Sequence, residues 1–270
     1  METIKKVKPQ HPLLREKIAY IVFWRNSKIN NESKIFLPHN TCGMGITISG
    51  ELQVSYNNVF NKMPSFGTRN ILKKPSEVRT VGDFFNISIR LKTPNTISIF
   101  TKVPMNEIYQ NDFFSFSDIF DSGEVNTLVE QIIQKETDEQ VQEIIETYFV
   151  SKIINNTDPL FAAIIHHVHN TNGNLNIYQI AKQFNISERT INRHFNKYIG
   201  TNPNNYINLI RFRSVINVAN TSNKILTTAL DFGYYDQSHF IKHFKEYTSI
   251  TPSDFFKNKH KNQLSDFYNI

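Results

Sequence analysis

Two short stretches of this chain carry side chains that can donate hydrogen bonds to flat heterocycles and to anions. Within each stretch they recur at the three- and four-residue spacing that places them on one side of a helix. The first stretch contributes Arg189, Thr190, Asn192, Arg193 and Lys197. The second contributes the donors Gln237, Ser238, Lys242 and Lys245, with the apolar Ile241 on the same side. A helix face of this composition can pair with the base edges and phosphates of a nucleic acid.

The position of each side chain along its helix indicates a separate role. Near the start of such a helix, an arginine can bind guanine through two hydrogen bonds, an asparagine can bind adenine, and an isoleucine can pack on a thymine methyl. We assign these roles to Arg189 or Arg193, to Asn192 and to Ile241, with Ser238 and Lys242 on the same face. Gln237 is expected to reach a base or a phosphate, whereas Lys197 and Lys245 would contact phosphate. The alternative for each residue is an ordinary solvated surface.

These stretches belong to one pattern that occurs twice within residues 180–256. The first copy reads IAKQFNISERTINRHFNKYIGTNPNNY, and the second reads TALDFGYYDQSHFIKHFKEYTSITPSDF. The copies keep their helix faces and differ by one residue in the connecting turn, so we interpret them as one structural unit used twice. Their predicted buried faces hold Ile191, Phe195, Tyr198 and Ile199 in the first copy and Phe240, Phe244 and Tyr247 in the second.

Cap and turn residues delimit the helices of each copy. In the first, Asn176 caps a short helix, Asn185 tolerates a left-handed turn, and Ser187 caps the second helix. In the second, Gly233 takes the turn and Asp236 the cap. This order predicts a helix-turn-helix, whose second helix enters the DNA major groove. Two such units on one chain can reach successive major grooves about 34 Å apart.

The last part of the chain, about a hundred residues, resembles the AraC/XylS-type transcription regulators. The matching residues are Ala181, Ser187, Arg193, Phe195, Gly200, Pro203, Tyr206, Arg211, Ala229, Gly233, Tyr234, Asp236, Ser238, Phe240, Phe244, Lys245, Thr251 and Pro252. Asn185 and Ser249 stand where that family has glycine. The resemblance implies a sequence-specific regulator, an activator, that binds double-stranded promoter DNA and RNA polymerase. It also implies a first domain that senses a small-molecule effector or forms a homodimer.

An α+β fold with two domains is predicted. Residues 1–157 form a β-rich regulatory or dimerisation domain, a cupin-like barrel or sandwich, because short alternating strands are separated by Gly, Pro and Asn. It ends in a helical linker at about 122–157, whose apolar stripes either pack on the β domain or pair with another subunit. Residues 158–270 form an all-α DNA-binding domain in which a long helix from Pro203 joins the two helix-turn-helix units.

Composition limits the remaining possibilities. Residues 158–270 hold 12 Lys and Arg against 7 Asp and Glu, whereas residues 1–157 hold 18 against 17, so the basic excess lies in the repeat. The start of the chain lacks the apolar core of a secretion signal, and no apolar run approaches the length of a membrane span, so a cytoplasmic protein without membrane contact is expected. The single cysteine, Cys42, excludes an internal disulfide and is expected to serve packing.

Neither catalysis nor a metal or other cofactor is predicted. His166, His167 and His169 are the nearest approach to a metal cluster, but only His166 and His169 share a helix face, and metal sites need three or four converging ligands. His194 and His243 are expected on helix surfaces. Three alternatives stay open: a DNA-binding protein that acts constitutively without sensing a small molecule, an architectural DNA-binding protein, and an enzyme fused to a DNA-binding tail.

Overall fold

A computed structural model describes residues 1–27, 33–55, 58–69, 75–111, 113–154, 156–219 and 229–257. These residues form two compact units. The first unit holds the described residues within 1–33, 41–70 and 78–157, and the second holds those within 34–40, 71–77 and 158–270. Two short stretches from the first 157 residues therefore belong to the second unit.

An eight-stranded sheet dominates the β-rich part of the chain. Its strands are β1 (Glu2–Val7), β2 (Ile18–Asn26), β3 (Lys34–Phe36), β4 (Gly43–Ser55), β5 (Phe60–Lys62), β6 (Phe66–Arg69), β7 (Ser76–Leu91) and β8 (Phe113–Ser115). Six of them follow the order β1-β2-β7-β4-β6-β8, and β5 pairs with β4. The predicted β-rich first domain is confirmed. The closed barrel is not formed among the described residues, because the end strands β1 and β8 pair with β2 and β6 and not with each other.

Strand β2 is buried although it lies next to the edge strand β1. It pairs antiparallel with β1 on one side and β7 on the other. Its residues Ile21, Val22 and Phe23 are buried in succession, so both of its faces are covered. On β7 the alternation of isoleucine with polar residues is present, yet Asn86 is buried as well. Asn86 donates to Thr47 Oγ1 at 3.1 Å, which satisfies part of its hydrogen-bonding capacity inside the unit.

The helices of the first unit pack beside this sheet. They are α1 (Pro12–Arg15), α2 (Met105–Ile108), α3 (Ser122–Ile133) and α4 (Asp138–Ser151), with two short 3₁₀ helices at Pro94–Ile99 and Phe116–Asp118. On α4, Glu146 accepts hydrogen bonds from the backbone N–H groups of Gln10 and His11, and Asp138 forms an ion pair with Arg25 at 2.7 Å. Helix α4 thus packs on its own β domain, one of the two arrangements that its apolar stripe allows.

The described residues of the second unit from 158 onward form helices joined by short turns. Its helices are α5 (Pro159–Asn170), α6 (Ile177–Phe184), α7 (Glu188–Ile199), α8 (Pro203–Ala219), α9 (Gln237–Thr248) and α10 (Pro252–Lys257). Across the described ranges, no helix has the length and apolar character needed to cross a bilayer.

Helix α8 is shared between two hydrophobic cores. Tyr206, Ile207 and Ile210 pack into the core built on α5, α6 and α7. Leu209, Phe212, Val215 and Ile216 pack into a second core with α9 and α10. Helix α8 therefore supplies side chains to the cores of both helix-turn-helix units and is packed against each of them. Leu37, from the stretch 34–40, is 6% exposed and also lies in the second core.

Candidate nucleic-acid interface

The first helix-turn-helix consists of α6, a tight turn and α7. Asn176 caps α6 by accepting from the N–H of Gln179, whose side chain in turn accepts from the N–H of Asn176. Asn185 then takes the left-handed conformation, with φ 52° and ψ 48°. Ser187 starts α7 by accepting from the N–H of Thr190 at 3.1 Å. The predicted caps and turn are all confirmed.

The second helix-turn-helix is built in the same way. Ala229 is buried at the end of its first helix, and Gly233 takes a left-handed φ of 81° in the turn. Asp236 caps α9 by accepting from the N–H of His239 at 2.7 Å. Residues 220–228, which include Thr228 at the start of the second copy, lie outside the described residues.

The buried residues of α7 and α9 show which side of each helix faces outward. On α7, Ile191, Phe195 and Ile199 are 0% exposed. On α9, Phe240 and Phe244 are also 0% exposed. The opposite side of each helix therefore faces outward, and it carries the basic residues that the sequence places there.

Seven of the ten predicted contact residues are exposed. They are Arg189, Arg193 and Lys197 on α7, and Gln237, Ser238, Lys242 and Lys245 on α9. Arg189, Arg193 and Lys197 are spaced four residues apart, so they form one row along α7. The Lys197 ammonium lies 4.9 Å from the centre of the Tyr198 ring, which holds the lysine stem along the helix.

The other three contact residues are partly engaged within the protein. The Thr190 hydroxyl lies 3.0 Å from the hydroxyl of the cap residue Ser187. Asn192 Nδ2 donates to the Glu188 carbonyl at 2.9 Å, so reading a base requires this amide to turn away from its own helix. Ile241 is half-buried and packs against the second core, so only part of its side chain is available to a thymine methyl.

The histidines of this unit have structural partners. His169 Nε2 lies 2.9 Å from the buried Tyr206 hydroxyl, and burial, together with the charge of His166, lowers the pKa of His169 to about 4. His194 and His243 are half-buried and not on the surface as expected, because His194 packs against Phe161 and His243 against Tyr234. Burial lowers the pKa of both of these histidines.

Two further residues of this domain were not identified from the sequence. Tyr235 is 89% exposed and directly precedes the cap Asp236, and a large aromatic residue in a turn was the available signal. Arg211 was noted only as a matching residue, yet on α8 its guanidinium donates to the Gly173 carbonyl through two nitrogens. No local sequence pattern predicts this hydrogen bond, because Gly173 lies 38 residues before Arg211. Among the described residues, no group of three His, Cys, Asp or Glu side chains is placed to hold a metal ion.

Two capped helices, each buried on one side and polar to basic on the other, define a double helix-turn-helix of the DNA-binding class. A family profile described as "Helix-turn-helix domain" matches residues 180–258. An uncharacterized HTH-type transcriptional regulator of Haemophilus influenzae is 29% identical over 99 residues, which cover 36% of this chain. These matches identify residues 180–258 as a helix-turn-helix domain and confirm the resemblance of this part of the chain to AraC/XylS-type regulators.

The similarity is limited in extent. The match spans only 33% of the Haemophilus protein. Among solved structures, ToxT from Vibrio cholerae has a TM-score of 0.48 at 18% identity, covering 88% of this chain and 97% of that chain. The AraC-like transcriptional activator CuxR has a TM-score of 0.25 at 12% identity, covering 80% of this chain and 86% of that chain.

Proposed function

We propose that this protein is a sequence-specific DNA-binding transcription regulator that inserts α7 and α9 into successive major grooves of one duplex. The observation that carries the proposal is the duplication of the same capped helix with the same outward basic face. A single helix of this kind reads one groove, whereas two on one chain hold a site of two half-sites. Residues 158–270 are then the DNA-binding domain.

The exposed residues divide into base-reading and phosphate-binding groups. Arg189 and Arg193 lie in the first two turns of α7, where a guanidinium can donate two hydrogen bonds to guanine O6 and N7. On α9, Lys242 stands at the same distance from the helix start as Arg193 on α7. Lys197 and Lys245 lie a further turn along, where the backbone of a duplex passes, and would bind phosphate.

The first domain supplies the regulatory part of the proposal. We assign residues 1–157 to sensing an effector or to dimerisation, and the whole protein to the activation of promoters together with RNA polymerase in the cytoplasm. Catalysis has no part in this function.

The proposal is tested by selecting duplexes from a randomised pool with the full-length protein and measuring affinity by fluorescence anisotropy. Arg193→Ala should weaken binding to the selected sequence by about 1–3 kcal/mol and relax the preference at one base pair. If Arg193 contacts phosphate instead, the loss should be uniform across sequences and the salt dependence shallower. Lys182→Ala is the matched control, because it removes an exposed positive charge from α6 and leaves α7 intact.

Two results contradict the proposal. One is a pool from which no sequence is enriched, which is the behaviour expected of an architectural protein. The other is an Arg193→Ala protein that binds every duplex as tightly as the wild type does, which removes Arg193 from the interface.

A further inference from the structure

The loop of residues 172–175, between α5 and α6, contacts both helix-turn-helix units. Asn172 and Gly173 both take left-handed conformations, with φ of 52° and 70°, which turn the chain sharply toward α8. A Cβ on Gly173 would lie 2.5 Å from the Ile207 carbonyl oxygen and 2.8 Å from the Arg211 backbone nitrogen. Only glycine permits this approach, so the loop is pressed against the middle of α8.

Arg211 joins this loop to α8 through its side chain. Its Nε and one terminal nitrogen donate to the Gly173 carbonyl at 3.1 and 2.7 Å, and the same terminal nitrogen is 3.5 Å from the Leu175 carbonyl. The other terminal nitrogen lies 3.3 Å from Asn208 Oδ1, one turn earlier on α8. A planar guanidinium with several donors is suited to holding two carbonyls of one turn at the same time.

The same guanidinium reaches the second helix-turn-helix. Its carbon lies 5.7 Å from the centre of the Tyr234 ring, which is 3% exposed and packs edge-on against Phe240 of α9 at 5.2 Å. Tyr234 directly follows Gly233 in the turn that aims α9. The loop itself meets this turn, since a Cβ on Gly233 would overlap Asn174 Oδ1. The turn before α9 is therefore fitted against the loop that precedes α6.

We propose that Arg211 and the 172–175 loop form a brace that fixes the direction of α9 relative to α7, and so sets the half-site spacing that the protein accepts. This inference rests on the proposed function, since spacing has meaning only for a site read by both helices. Helix α8 alone fixes where the second unit begins. The brace adds a second connection between the two helix-turn-helix units. With two connections, the second unit can no longer rotate relative to the first, as it could if α8 were the sole connection.

The brace predicts a specific pattern of DNA binding for Arg211→Gln, which removes the guanidinium and keeps an amide. On a duplex enriched by the wild type and carrying both half-sites, affinity should fall about tenfold, because the second helix no longer binds with a preset orientation. On duplexes with either half-site scrambled, the change should stay below about twofold. Inserting one base pair between the half-sites should weaken the wild type more than the variant.

Two further variants separate positioning from folding. Arg211→Lys keeps the charge without the fork and should fall between the wild type and Arg211→Gln. Asn217→Ala changes an exposed residue of the same helix and should behave as the wild type on every duplex. Equal losses for an Arg211→Gln protein with the circular dichroism spectrum of the wild type, on complete and half-site duplexes alike, would overturn the brace.

A distance measurement tests the brace without DNA. Spin labels are attached at Gln183→Cys in α6 and Glu246→Cys in α9, which are both exposed positions. They report the distance between the two helix-turn-helix units in full-length protein whose buried Cys42 is replaced by alanine. The distribution should be narrow with Arg211 and broader with Arg211→Gln. An unchanged distribution overturns the brace. If the wild type enriches no sequence, the proposed function fails, while this measurement still decides the brace.

Discussion

Replacing His169 with glutamine tests how the core of the first helix-turn-helix responds to acid. His169 lies on α5 against Tyr206 of α8, with 2.9 Å between Nε2 and the hydroxyl. Burial lowers its pKa from 6.5 to about 4. The folded state disfavours the charged ring. The contribution of His169 to the free energy of unfolding is therefore complete above pH 6.5, and it is lost as the pH falls from 6.5 to 4. Below pH 4 both states bind the proton, and the loss levels off.

The size of the effect follows from the two pKa values. A difference of about 2.5 in pKa corresponds to about 3.4 kcal/mol in total. At pH 5 the unfolded state has bound the proton and the folded state has largely not, so about 2 kcal/mol is already lost. Glutamine does not titrate but can still pair with the Tyr206 hydroxyl. The stability of His169→Gln relative to the wild type should therefore rise by about 2 kcal/mol between pH 8 and pH 5.

Pulsed hydrogen exchange in urea, analysed on peptides from Pro159–Asn170 and Pro203–Ala219, measures this difference where the contact lies. Ala162→Gln is the control, since it places the same side chain at an exposed position of the same helix. An imidazole NMR titration gives the pKa of His169 directly. A stability difference that is the same at pH 8 and pH 5, or a titration near 6.5, would refute the reasoning.

The remaining predictions concern the ends of the two outward helices. Ser249 ends α9 with a φ of 65°, a conformation that glycine adopts without strain. Ser249→Gly should therefore stabilise the second helix-turn-helix by about 1 kcal/mol, measured as a higher urea midpoint. An unchanged midpoint would mean that the serine is unstrained there. Ser187→Ala and Asp236→Ala each remove a cap and should cost about 1 kcal/mol, measured in the same way. Because the two caps share no hydrogen-bond partner, the two losses should add when the substitutions are combined, and a combined loss that differs markedly from the sum of the single losses would show that the two caps are energetically coupled.

The recurrence of short-range patterns explains why the second unit was largely predictable. Caps such as Ser187 and Asp236 bind an N–H three residues away, and the faces of α7 and α9 follow from residues three and four apart. The left-handed turn at Asn185 depends on its own side chain and on Gly-like tolerance of positive φ. Each of these properties is encoded within one or two helical turns, so the sequence displays them.

Other features depend on residues that are far apart in the chain. Ile133 continues the apolar stripe of α3 but is 63% exposed, because nothing in its own helix indicates where the packed partner ends. Glu146 is buried where it binds the N–H groups of Gln10 and His11, more than a hundred residues earlier. The half-burial of Asn192 and Ile241 likewise depends on the shape of the surrounding surface.

The sequence alone determined that two helices of one kind exist, where they begin, and which of their sides carries Arg193 and Lys242, because hydrophobic periodicity and capping are local. Only the tertiary structure decided that the sheet stays open, that Leu37 lies in the second core, and that Arg211 meets Gly173 and Tyr234. These contacts join segments that are far apart in the sequence, and several tertiary folds are compatible with the same local pattern. The packing of distant segments decides which of these folds forms, and no single stretch of residues encodes that choice.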